Sequence, residues 1–388
     1  MRVLIVSHTA VVSGAEHALL DLLRFLPASV EPLVAGPEGE LSQRVGELGV
    51  ETARLPAATG SFRLHPVHTP VGAVQTAAAA VATRRLARRR RADLVHANTV
   101  RAGLSAVTAT RAGGPPAVVH AHDLLPPGLA GDAVRWTLRG AQRIVAVSDY
   151  TAATLGPRLG RVTEVLHNPL DLDRFDPARL DRARSRGDLG LPADAPVLGV
   201  VAQITPWKGQ DTAIEALRLV REEIPDARLV LAGKVKFASA ATRYDNPGYM
   251  RELEAAAERH ELAGAVHFVG ERDDVPDVLA ALDVLLVPST GEPFSRVVIE
   301  ALAVGTPVIA TTAGGPAEAL ADGVGCLLPP GRPAAWAAAA LELLRDPRER
   351  DRLAERGRRR ALRFDARVYA ERMVGVWRDA AGTDAPAR

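Results

Sequence analysis

An α/β fold of two domains is what this chain predicts, on three observations. Short apolar runs alternate with stretches of helical periodicity from end to end, the signature of strand–helix–strand units that build parallel sheets. With 388 residues there is room for two domains and a sizeable core. Composition shifts at Asp176 to Asp194, a stretch rich in Arg, Asp and Pro that is taken as the boundary region. The expected domains are 1–178 and 179–364, followed by a final segment, 365–388.

In chain order, Arg2 to Ser7 is an apolar strand. Its apolar run is too short before polar residues for a signal peptide. Gly14-Ala15-Glu16 opens a helix, and Gly14 permits close backbone approach to a ligand at that helix N-terminus. This is not a G-x-G-x-x-G fingerprint, so no nicotinamide cofactor is inferred. Glu31 to Ala35 and Val50 to Leu55 are strands on either side of a helix that Gly49 stops. Ala57 to Pro70 reads as an irregular loop. Val71 to Arg91 is a long Ala-rich helix ending in RRLARRRR. Basic residues there complement the helix dipole. The alternative is a peripheral contact of Arg84 to Arg91 with anionic lipid heads or another acidic ligand. Asp93 to His96 and Ala117 to His120 are strands around a helix, Val100 to Ala112. His96, His120 and His122 therefore sit at or just past strand ends, at spacings that match no zinc motif. His120 and His122 are expected on opposite faces, so that at most one is functional. Arg143 to Val147 is a strand leading to Ser148, a helix N-cap, and Val162 to Leu166 is the last strand of this half.

The second half opens with the strand Val197 to Val201. In the following loop Lys208 carries a flexible point charge suited to a diphosphate. Arg228 to Gly233 is a strand with Lys234 at its end and Lys236 as a weaker candidate. Phe237 to Gly248 is longer than a connection needs and reads as a flexible or acceptor-facing loop. Val266 to Gly270 and Val284 to Val287 are further strands. Ser289-Thr290-Gly291-Glu292-Pro293 is a loop. From Phe294 the apolar Val297, Val298, Ala301 and Leu302 fall at helical spacing, until Gly305-Thr306-Pro307 stops the helix. Val308 to Ala310 is a strand, and Gly314-Gly315-Pro316 turns into a helix carrying Glu318. Asp365 to Trp377 is the closing helix.

The stretch from Val284 to Glu318 carries the chemistry. A loop entering a helix aims free N–H groups outward, and the dipole favours an anion there. In parallel sheets ligands bind outside the carboxyl ends of the strands, where such loops lie. Carboxylates at Glu292 and Glu300 accept hydrogen bonds, which vicinal sugar hydroxyls donate. An anion-and-sugar site is the inference.

Composition excludes several classes. A formal charge of +2 gives no support for nucleic-acid binding. The single cysteine, Cys326, rules out an internal disulfide and a cysteine zinc site. No apolar run approaches the roughly 18 residues of a membrane span. A cytoplasmic protein, peripheral to the inner membrane face if the arginine stretch is used, is the expectation.

VLLVPSTGEPFSRVVIEALAVGTPVIATTAGGPAE resembles the E-x7-E signature of the retaining GT-B glycosyltransferases of family 4. It matches at Ser289, Glu292, Phe294, Glu300, Ala301, Gly305, Pro307, Val308, Gly314, Gly315 and Glu318. Ser295 departs from it, because the family usually has glycine there. Lys208-Gly209 resembles the family's G-R-L-x-x-x-K-G loop, with Gln203 where the Arg is usual. Ser13-Gly14-Ala15-Glu16 and His122-Asp123 resemble further family segments. The resemblance implies two Rossmann-like domains facing across a cleft, an acceptor on the first and a nucleotide-sugar on the second, with the closing helix of 365–388 packing back on the first. It implies transfer of a sugar with retention to an acceptor hydroxyl of a glycolipid, polysaccharide precursor or specialised metabolite. UDP-sugar is favoured by family frequency, with GDP- or ADP-sugar as alternatives, and no metal is expected.

By the same resemblance, the catalytic candidates are His122, Glu292 and Lys208, with His120 as the fallback for His122. Gly14, Gln203, Lys208, Gly233, Lys234, Arg272, Phe294, Ser295, Arg296, Val297 and Glu300 are the expected donor contacts. Lys208 and the amides of Phe294 to Val298 would serve the diphosphate, Glu300 the ribose and Glu292 the donor sugar. Arg296 is the expected compensation for Gln203. A sugar-nucleotide epimerase and a non-catalytic nucleotide-sugar-binding protein are the rival readings.

Overall fold

The computed structural model describes residues 1–57, 68–236 and 244–382. Of the loops expected over Ala57 to Pro70 and Phe237 to Gly248, residues 58–67 and 237–243 lie outside these, and the helices His68–Arg90 and Asn246–Arg259 take in the ends of both.

The chain forms two compact units, Met1–Pro169 with Ala366–Arg388, and Leu170–Asp365. In the first, β1 (Arg2–Val6), β2 (Glu31–Gly36), β3 (Glu51–Arg54), β4 (Leu94–Ala97), β5 (Ala117–Ala121), β6 (Arg143–Ala146) and β7 (Thr163–Val165) form a sheet. Its order is β3-β2-β1-β4-β5-β6-β7, parallel throughout. In the second, β8 (Val197–Val201), β9 (Arg228–Ala232), β10 (Val266–Gly270), β11 (Val284–Val287), β12 (Val308–Thr311) and β13 (Cys326–Leu328) are likewise parallel. Their order is β10-β9-β8-β11-β12-β13.

These strands read as near-continuous apolar runs because both faces of each sheet are covered. In the first unit the alternation of strand side chains divides the core. Leu4, Val6, Val95 and Val119 pack in one layer, with Ala102, Ala106 and Leu138 of flanking helices. Val3, Ile5, Leu94 and Val118 pack in the other, with Leu19, Met373 and Trp377. The closing helix Ala366–Ala381 belongs to that second layer and buries Trp377 completely. Trp336, equally buried, anchors the core of the second unit and donates from Nε1 to Pro329 O at 3.0 Å.

Each sheet changes direction of winding once, between β1 and β4 and between β8 and β11. Loops leaving adjacent strands diverge there, and the opening between them is where parallel sheets take ligands.

The chain enters the second unit at Leu170, which pairs with Asp365 as that chain leaves it. The Arg/Asp/Pro-rich stretch lies inside the second unit and holds a helix, Arg182–Asp188. It docks through Arg186, whose Nη2 meets Asp283 Oδ2 at 2.9 Å in a buried pair. The arginine-rich helix His68–Arg90 starts upstream of the expected Val71. Arg90 pairs with Glu51, and Arg88 donates to Gly113 O at 3.4 Å. Among the described residues, no helix is long and apolar enough to cross a membrane.

Candidate active site

The loops leaving β8 and β11 bring Lys208 and Glu292 together. A 3-10 turn, Pro206–Lys208, follows β8, and Gly209 then takes a left-handed φ of 71°. A Cβ there would lie 2.4 Å from Pro288 O, so only glycine lets the two loops touch. Lys208 Nζ reaches Glu292 Oε2 at 2.6 Å, with the side chains 14% and 6% exposed. The ammonium also lies 4.2 Å from the centre of the Trp207 ring. Ser289 Oγ donates to the same carboxylate oxygen at 2.9 Å. Gly314 holds the backbone of Glu292 in place. Its φ is 132°, and a Cβ would sit 1.9 Å from Glu292 O. Glu292 N donates to Ala313 O, and Gly315 N returns a bond to Glu292 O, both at 2.9 Å.

The helix Arg296–Val304 begins directly beyond this pair, with Ser295 in its N-cap position, without a side-chain cap bond, at φ 72° and ψ 92°. That is left-handed territory for a residue with a Cβ, which is the physical reason for glycine in the family signature. Phe294 is buried against Phe364, their ring centres 5.7 Å apart, so its side chain is structural and only its amide remains for a ligand. Val297, Ser289, Ser295, Lys208 and Ala202 line a small cavity. Glu300 and Arg296, one turn apart, pair at 3.3 Å with both side chains largely buried. Arg296 therefore neutralises Glu300 in this structure.

Other predicted residues lie in the loops that follow β8, β9 and β10. Gly233, at φ 147°, closes on Ala202 O. Gln203 O accepts from Gln210 Nε2 at 2.9 Å. Lys234 and Lys236 both pair with Glu271, the latter at 2.6 Å. Arg272 forms a two-pronged pair with Asp274 at 2.7 and 2.5 Å.

The first unit holds a second polar group at the carboxyl ends of β1, β4 and β5. Gly14 starts the helix Gly14–Arg24, with open space where a Cβ would lie. Packing therefore does not demand a glycine at position 14. Glu16 is buried and accepts from Ser13 N at 3.1 Å and Ser13 Oγ at 2.7 Å. Burial pushes its carboxyl above the usual range, and burial does the same to Asp123. His8 Nδ1 and Thr99 Oγ1 lie 2.9 Å apart. His122 follows β5 directly, its ring centre 3.9 Å from that of His120. The expectation that these two histidines face opposite ways fails. Residues two apart in a strand share a face, and the ring contact shows it. The chain of rings continues inward from His120 to His96 at 5.8 Å and from His96 to Trp377 at 5.5 Å. Glu16, Asp123 and His8 were not singled out as site residues from sequence. The signal was there, in a Glu three residues after Ser13 and an Asp just past a strand end.

The buried histidines make a pH prediction. Burial lowers the pKa of His96 to about 3. Burial, with Arg101 adding to it, lowers that of His8 to about 4. Burial first, then its neighbours His122 and His96, holds His120 well below 6.5. A folded-state pKa below the unfolded value means that the unfolded chain binds protons more tightly as pH falls. Their contribution is complete above pH 6.5 and is lost down to about pH 3. The slope is roughly 1.4 kcal/mol per pH unit for each fully shifted group. Glu16 and Asp123 act oppositely, favouring the fold at low pH. With three histidines against two carboxyls, the urea midpoint of the first unit is expected to fall from pH 7 to pH 5. A flat midpoint would contradict neutral, buried imidazoles.

Comparison with known proteins gives this geometry its family. Residues 181–360 match the profile of Glycosyl transferases group 1, and residues 12–174 match Glycosyltransferase Family 4. The D-inositol 3-phosphate glycosyltransferase of Salinispora arenicola is 31% identical over 317 residues, 76% of this chain and 70% of that protein. This chain belongs to the family 4 glycosyltransferases. A second glycosyltransferase of the same name, from Stackebrandtia nassauensis, is 32% identical and covered over 68% of its length. The fold of this glycosyltransferase is GT-B. HepE of Anabaena, solved with UDP and glucose, superposes with a TM-score of 0.82 at 26% identity, over 97% of this chain and 98% of that one. Sucrose-phosphate synthase of Thermosynechococcus elongatus shares the fold, with a TM-score of 0.80 at 23% identity over 99% and 100% of the two chains.

Proposed function

We propose that this glycosyltransferase moves a sugar from a nucleotide-sugar, UDP-sugar first, to an acceptor hydroxyl with retention at the anomeric carbon. The observation that carries the reading is the buried Lys208–Glu292 pair at the switch point between β8 and β11. Lysine has three donors, so Lys208 can hold Glu292 and a diphosphate oxygen together. Glu292 then offers its carboxylate to hydroxyls of the donor sugar, and Glu300 to those of the ribose. As the bond from the anomeric carbon to the diphosphate breaks, charge grows on the leaving phosphate. In this reading Lys208 and the N–H groups opening Arg296–Val304 stabilise that charge. The new bond forms from the acceptor oxygen to the same carbon, and the acceptor's proton passes to a phosphate oxygen. His122 is assigned to the donor-sugar side of the first unit.

The Anabaena structure with bound UDP and glucose supports UDP as the first nucleotide to test. The names of the Salinispora and Stackebrandtia relatives make a phosphorylated cyclitol the first acceptor to test. Acceptor delivery at a membrane surface through Arg84 to Arg91 stays within the reading, although Arg88 and Arg90 already bond within the first unit.

Calorimetric titration with UDP, GDP and ADP tests the site. One nucleotide is expected to bind in the micromolar range, with Glu300→Ala weakening it at least tenfold. Binding of none would sink the donor site. His122→Ala separates a catalyst from a binding protein: nucleotide affinity is expected to hold while turnover falls at least a hundredfold. Unchanged turnover would remove His122 from the mechanism.

A further inference from the structure

We propose that the Ser295 hydroxyl is a donor-binding group, hydrogen-bonding one phosphate oxygen of the nucleotide's diphosphate. The proposal rests on the reading above that a nucleoside diphosphate sugar occupies the loops after β8 and β11.

Four observations meet at this atom. Ser295 is 7% exposed, and its Oγ is buried without a hydrogen-bond partner. A buried hydroxyl left unpaired is costly, so a missing partner is expected to come from a ligand. The oxygen does not cap its own helix, although Ser295 holds the N-cap position of Arg296–Val304. It lines a small cavity between the ends of β8 and β11, walled by Val200, Leu286 and Val287 and opened on its polar side by Lys208 and Ser289, a space about the size of one water molecule. Such a space admits a single oxygen of a larger group. Finally, the backbone at φ 72° is one that glycine adopts freely and serine does not. The chain carries a hydroxyl at a position where its own backbone would be better served without one.

The chemistry of the surroundings selects the group that enters. A helix N-terminus and the Lys208 ammonium both favour an anion. A serine hydroxyl can donate to phosphate as readily as it accepts. Across the site, Gln203 is neutral where the family signature has an arginine, so the diphosphate lacks one cationic donor. The Ser295 hydroxyl returns a hydrogen bond, though not a charge, to that same group.

The test uses whichever of UDP, GDP and ADP binds the parent protein, together with its nucleoside, the weaker ligand being followed by ligand-observed NMR. Parent, Ser295→Gly and Ser295→Ala are compared. Both variants are expected to bind the diphosphate at least tenfold more weakly and the nucleoside unchanged. Ser295→Gly is also expected to melt higher than the parent, so its loss of affinity cannot come from a damaged fold. Parent-like affinity in Ser295→Gly would overturn the proposal, as would an equal loss for the nucleoside. If the parent binds none of the three diphosphates, the donor-site reading fails first and this proposal with it.

Discussion

Lys208→Ala is expected to lose about 3 kcal/mol of stability as well as nucleotide affinity. The alanine leaves the Glu292 carboxylate 6% exposed, with Ser289 Oγ as its remaining side-chain partner. Removing one member of a buried pair costs about 3–5 kcal/mol, because the other charge stays desolvated and uncompensated. The low end applies here, since one hydrogen bond survives. Glu292→Gln in the same chain removes that charge, so the double variant is expected to recover most of the stability. It is not expected to recover binding or turnover. Urea unfolding gives the first quantity and calorimetry the second. A single variant as stable as the parent would mean that the ion pair contributes nothing to the fold. A double variant that binds nucleotide like the parent would mean that Lys208 does not touch the diphosphate. Without the double variant, the single one could not distinguish a lost contact from a collapsed loop.

Trp377→Ala is the second large effect, expected to cost the first unit about 3–5 kcal/mol. The indole is fully buried in the layer with Val3, Ile5, Leu19 and Met373. Its Nε1 donates to His96 Nδ1 at 3.1 Å, across 281 residues of sequence. His96 lies opposite Ile5 in the sheet and is itself buried, so it cannot turn to water for a replacement donor. Trp377→Phe keeps most of the packing and removes only the hydrogen bond, for about 1–2 kcal/mol. Circular dichroism through a urea titration reads both. The rings beyond His96 lead to His120 and His122, so turnover is expected to fall with Trp377→Phe even where the fold holds. A Trp377→Ala chain that unfolds at the parent's midpoint would show that the closing helix does not hold the first unit together.

Much of this molecule was legible residue by residue. Val197–Val201, Val266–Gly270 and Val284–Val287 are strands with the bounds the apolar runs predict. Gly305 ends its helix at φ 92°, as a left-handed stop should. Helices were harder where polarity masked them. Arg182–Asp188 reads as a linker because its buried members are a serine and an arginine, Ser185 and Arg186. It is a helix because Asp181 caps it and Asp283 receives the arginine. Ser295 was visible as a departure from a glycine, but the meaning of that glycine, a positive φ, is a property of the backbone path.

The sequence by itself determined the order and type of most elements, the two-part α/β plan and the family-4 loop around Glu292. These are local properties, set by apolar period, helix stops and glycine. Tertiary structure alone decided which side chains meet. Lys208 and Glu292 are 84 residues apart, and they touch because β8 and β11 are neighbours at the point where the winding reverses. Trp377 reaches His96 because the last helix packs on the first sheet. Arg296 meets Glu300, and the Ser295 oxygen finds no protein partner, because of how one loop enters one helix. Strand order and close packing place these atoms, and neither is written in the spacing of residues along the chain.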